Sequence, residues 1–166
     1  MAVHAQPPVP CRDLDDPGQI AEMVTRFYGD VDLDPILGPL FNDVAQVDWP
    51  EHLEKLTAFW CRALLGIQGY AGNPFRAHKE VHQQRSFTDA HFLRWLTLFE
   101  QTVRGGWSGP NAERAVALAC NVARVHSNQF LDAPVAIPES IEYGASAGGG
   151  PANGMPVSAP TRAVGR

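Results

Sequence analysis

At 166 residues the chain fits one domain with a single modest core. Thirteen Lys and Arg against 18 Asp and Glu give a net charge of −5, with no basic cluster, which argues against nucleic acid as the main partner. Cys11, Cys61 and Cys120 form no CxxC pair, Met1 to Pro10 lacks an apolar signal-peptide core, and no run of apolar residues is long enough to span a membrane, so a cytoplasmic setting is expected.

The Pro-rich start, 1–14, and the Gly-, Ala-, Pro- and Ser-rich end, 133–166, are expected to be mobile around a folded body over 15–132. Asp16-Pro17-Gly18-Gln19 is a helix start: a capping carboxylate, proline at the first helical position and a glutamine able to bond back. Ile20, Met23, Val24 and Phe27 follow at helical spacing, and the helix is expected to end near Gly29. Two prolines and Gly38 in Asp34–Phe41 leave room only for a short helical turn and a bend.

Asp48-Trp49-Pro50-Glu51 opens a second helix with the stripe Leu53, Leu56, Phe59, Trp60, Ala63 and Leu64, stopping around Gly66. Asn73-Pro74 starts a short third one with Phe75, His78, Val81 and His82 on one side. Ser86-Phe87-Thr88-Asp89 has the spacing of a capping box, and Phe92, Trp95, Leu96, Phe99 and Val103 then repeat until Gly105-Gly106. After Ser108-Gly109-Pro110, a last helix carries Ala112, Val116, Ala119, Ala123, His126 and Phe130. No stretch alternates with period two, so five main helices and no sheet are expected.

Polar side chains on these stripes are the informative ones, because Leu, Phe and Val alone would satisfy the core. They are Tyr28, His52, His78 and Trp95. His52 lies at the edge of the stripe holding Leu56, Phe59 and Ala63 and should point inward. Singly, each has an ordinary explanation in core packing, and His126 reads as a buried group bonded to backbone. Together, unmet buried donors would cost about 1 to 3 kcal/mol each, so something polar should sit among them.

The ordered pieces Phe27-Tyr28, Leu37-Gly38-Pro39-Leu40-Phe41-Asn42, Trp49-Pro50-Glu51-His52, Phe59-Trp60, Leu64-Leu65-Gly66, Asn73-Pro74, His78, Phe92–Leu96 and Leu98-Phe99-Glu100 resemble the group III truncated haemoglobins of bacteria, from about Ile20 to Phe130. The resemblance implies an all-α, two-over-two helical globin around haem b, with His78 as proximal iron ligand. It puts Tyr28, His52 and Trp95 on the opposite, gas-binding side. It also implies haem contacts from Phe41 after the bend, Leu56 on the distal side and Phe75 as a proximal wall. Dioxygen or a related diatomic gas would be the ligand.

The segment His78-Lys79-Glu80-Val81-His82-Gln83-Gln84-Arg85 departs from the apolar residues and proline that usually follow the proximal histidine. His82 therefore stands as a competing ligand, and Arg76, Lys79 and Arg85 are all candidates to pair with haem propionates. Nitric oxide dioxygenation or peroxide reduction would use the same haem with an external reductase, since no flavin or nicotinamide domain fits in the chain. A zinc site on His78 and His82 lacks a third ligand, and a haem-free helical interaction module is the remaining alternative.

Overall fold

Proline stands in the first turn of four of the five α-helices, where its missing N–H costs nothing. The computed structural model describes residues 10–141, and these form α1 (Pro17–Leu33), a short π-helix (Leu40–Val44), α2 (Trp49–Leu65), α3 (Pro74–Gln84), α4 (Asp89–Gly106) and α5 (Pro110–Phe130). No strand occurs among the described residues.

Local caps set most of the starts. Asp16 accepts from the N–H groups of Gly18 and Gln19, Asp48 from Glu51 and Asn73 from Arg76. Gly66, at φ +71°, ends α2 in the left-handed conformation that glycine adopts without steric cost. Two expectations need correction. Helix α1 continues past Gly29 to Leu33, because Val31, one turn after Phe27, is fully buried and draws another turn onto the core. Helix α4 is capped at Thr88 rather than Ser86: the Phe87 N–H is taken by His82 Nδ1, and the His91 ring accepts from the Thr88 N–H at 2.9 Å.

Helices α1 and α2 pack together, α4 and α5 pack together, and α1 crosses onto α4, giving the two-over-two arrangement. At the crossing Trp60 stacks on Phe99 at 4.7 Å, with Phe27 edge-on to the same ring at 5.1 Å. Close approach of the chain after α1 requires Gly38, where a Cβ would lie 2.7 Å from the Asp32 carbonyl oxygen. Helix α3 differs from the rest: it leans on α5 and the π-helix and buries none of its own residues.

The packed body reaches past 15–132 at both ends. Leu14 is fully buried, and Asp13 accepts from the Asn111 and Ala112 N–H groups, so it caps α5 from across the chain. Arg12 and Arg26 lie over the Trp107 ring at 4.7 and 5.0 Å, while the Trp107 indole donates to Gln19. Beyond α5, Val135 and Ile141 are buried, and the Val135 N–H donates to Ser127 Oγ at 2.9 Å. The remainder of the segments expected to be mobile, residues 1–9 and 142–166, lies outside the described residues.

Candidate cofactor cleft

The last turns of α1, the bend after it and the start of α2 bring one aromatic group together. The Tyr28 ring meets His52 at 5.6 Å, Phe41 at 6.0 Å and Trp49 at 6.2 Å. Trp49 stacks on Phe41 at 5.7 Å and donates its indole N–H to Asn42, whose amide donates to Asp32. Burial pushes the Tyr28 phenol well above its ordinary pKa, against the opposing pull of a hydrogen bond with Trp95. Trp95 itself lies edge-on to Phe27 and stacked on Phe99, half-buried on α4.

Asp34 fixes how α4 meets this corner. Its carboxylate accepts from the Ile36 and Leu37 N–H groups and from Arg94 Nε at 2.6 Å, next to Trp95 in the sequence. His52 hangs from α2 with Nε2 buried and without a hydrogen-bond partner. Burial lowers its pKa, helped by the nearby His78 and Lys55, so the ring is held neutral. Leu56, one turn on, is half-buried and packs on the core.

Across from His52 stands His78 on α3. Its Nδ1 is 2.6 Å from the Pro74 carbonyl oxygen, and since a carbonyl only accepts, that nitrogen carries the proton. The Nε2 lone pair is left free. The ring is accessible to water yet crowded by protein, and burial lowers its pKa against the opposing bond to Pro74. His82 has the reverse arrangement: Nδ1 accepts the Phe87 N–H at 3.0 Å, so a neutral ring holds its proton on Nε2 and has no lone pair there for a metal.

A third imidazole joins the His78 side. His126 on α5 lies with its ring 4.9 Å from that of His78 and 4.6 Å from Phe75, which is itself 42% exposed. Its Nδ1 is bonded to the Val122 carbonyl, Nε2 is buried without a partner, and burial with the neighbouring His78 draws its pKa down to about 4. The structure thus groups Tyr28, Phe41, His52 and Trp95 on one side and His78 with Phe75 on the other. Leu56 packs on the same core from the turn after His52. Trp49 and His126 also belong here; the sequence offers Trp49 as part of a helix cap and of the family resemblance but not as a ring of this cluster, and nothing local marks the pairing of His126 with a residue 48 positions earlier.

These donors suit a cofactor that brings most of its own coordination. A bare zinc ion takes about four protein ligands, whereas among the described residues no three His, Cys, Asp or Glu are grouped to hold a metal. A porphyrin iron would need only one imidazole from the protein, which His78 Nε2 can supply. The buried, unpartnered His52 Nε2 would remain as a further polar atom near it.

The family model of the bacterial-like globins matches residues 16–126. A group 3 truncated haemoglobin of Campylobacter jejuni is 36% identical over 87 residues, which are 51% of this chain and 66% of that protein, a little under two thirds of its length. The crystal structure of the group III truncated haemoglobin from Campylobacter jejuni matches with a TM-score of 0.63 at 29% identity, covering 70% of this chain and 92% of that one. No helix among the described residues is long and apolar enough to cross a membrane. The chain belongs to the bacterial-like globins and is a haem globin with the all-α, two-over-two fold of the group III truncated haemoglobins.

Proposed function

We propose that this globin holds haem b through His78 and reversibly binds dioxygen or a related diatomic gas between Tyr28, His52 and Trp95. The observation that carries the reading is the 2.6 Å bond from His78 Nδ1 to the Pro74 carbonyl, which fixes the tautomer and aims a neutral Nε2 lone pair away from its own helix. Haem, when bound, would supply an iron able to accept the His78 imidazole and a small gas molecule.

The other residues tune what happens at the gas side. Burial keeps Tyr28 protonated over the physiological range, so the phenol remains a donor. Its hydrogen bond with Trp95 fits an indole N–H given to the phenol oxygen, because indole can only donate. The single hydroxyl proton of Tyr28 is then free for a partly negative gas atom. His52, neutral, serves as a gate or as a second polar contact. Phe41, Leu56 and Phe75 furnish apolar walls that exclude water.

Replacing Trp95 with Phe removes the indole donor and keeps a ring in the stack. Without the indole bond that orients the Tyr28 hydroxyl, about 1.5 kcal/mol of gas stabilisation should be lost and dioxygen release should speed by roughly tenfold, read by stopped-flow displacement with carbon monoxide. An unchanged rate would remove Trp95 from the gas site.

A further inference from the structure

We infer that His126 is a second imidazole ligand held in reserve on the His78 side of the haem, able to take the iron when His78 does not. The inference rests on the reading that His78 is the resident ligand.

Three observations carry it. First, the tautomer is set: Nδ1 of His126 is 3.0 Å from the Val122 carbonyl oxygen, so that nitrogen bears the proton and Nε2 presents a lone pair. Second, this Nε2 is buried and has no hydrogen-bond partner within the protein. A haem propionate would not satisfy it, because a carboxylate is also an acceptor; an electron-pair acceptor such as iron would. Third, the ring stands directly beside the resident ligand, 4.9 Å from the His78 ring and tilted by 46°.

The other histidines nearby are disqualified by their own bonds. His82 accepts the Phe87 N–H and His91 the Thr88 N–H, each through Nδ1, so in both a neutral ring has its proton on Nε2. Among the described residues, only His78 and His126 offer an Nε2 lone pair on this side. The exchange needs little rearrangement of the core, since α3, which carries His78, buries none of its residues and can shift on α5 without opening the packed interior. It is also balanced chemically. The bond from His78 Nε2 to iron breaks as one from His126 Nε2 forms, and both rings keep their Nδ1 protons, so no proton or electron is exchanged.

The test uses the full chain loaded with haem and compares wild type with His78→Gly, His126→Phe, His78→Gly/His126→Phe and His78→Gly/His52→Leu. The readouts are the iron–histidine stretching band of the ferrous form and the rate of haem transfer to excess apomyoglobin. His126→Phe should keep the wild-type band. His78→Gly should keep a histidine band at a shifted frequency and lose haem about tenfold faster, as expected when an optimised ligand is replaced by a makeshift one. Adding His126→Phe should abolish the band, while adding His52→Leu should leave it. A His78→Gly protein without any histidine band overturns the inference, as does a His78→Gly band that survives the added His126→Phe or vanishes with the added His52→Leu. A wild-type band untouched in His78→Gly but lost in His126→Phe overturns the His78 reading as well. Should the glycine variant fail to fold by circular dichroism, His78→Gln fills the same space without an imidazole and gives the same comparison.

Discussion

Asp34 has a carboxylate almost wholly removed from water, and it is kept charged by three donors: the Ile36 and Leu37 N–H groups and Arg94. Burial alone would raise its pKa, but the Arg94 bond and the two backbone bonds outweigh it, and the net shift is downward. Between the folded and unfolded values the unfolded chain binds more protons, so this contribution to stability is complete above the ordinary carboxylate range and is lost as pH falls through the folded value. Asp34→Ala should cost about 2 kcal/mol by urea unfolding near neutral pH, below the value for a fully buried pair because Arg94 still reaches water. The difference between wild type and variant should shrink on acidification. A constant difference would mean that the carboxylate charge is not what holds the corner. The histidines teach a related lesson. His78 stood out in the sequence through its stripe and the family resemblance, but the choice against His82 turns on which ring nitrogen bears a proton. That depends on the Pro74 carbonyl and the Phe87 N–H, which the folded chain alone brings into place.

Helix starts were legible because capping chemistry is local: Asp16, Asp48 and Asn73 each bond to N–H groups two or three residues on. The end of α1 was not, since Val31 is drawn into the core by partners on other helices rather than by its neighbours. Nor was the cap of α5. Gly109 has no side chain to offer, and the two bonds at that terminus come from Asp13, nearly a hundred residues earlier. Asp13→Ala should therefore behave as the loss of an N-cap, costing about 1 kcal/mol. Thermal unfolding checks this, with Asp15→Ala, an exposed neighbour with no bond to α5, as control. Equal melting temperatures for the two variants would argue that α5 does not need the distant cap.

The five main helices and most of their buried faces followed from periodicity, while the limits of the packed body did not. Composition counts residues and cannot see that Val135 and Ile141 come back onto the helices, or that Arg12 clasps Trp107. Ile141→Ala should lower unfolding free energy by about 2 kcal/mol in urea melts, the cost of a buried aliphatic side chain; a change within error would mean that this segment is not part of the cooperative unit. The candidate site was half legible for the same reason. Tyr28, His52 and Trp95 announced themselves as polar residues on apolar stripes, whereas His126 acquires meaning only beside His78.

Whether one imidazole holds one iron here is read from absorption spectra of the haem-loaded full chain in ferric, ferrous and carbon monoxide-bound forms, beside those of His78→Ala. The wild type should show histidine-ligated haem, and the variant should show altered spectra. Protein that stays colourless with haem supplied, or spectra indifferent to the substitution, would contradict that ligation.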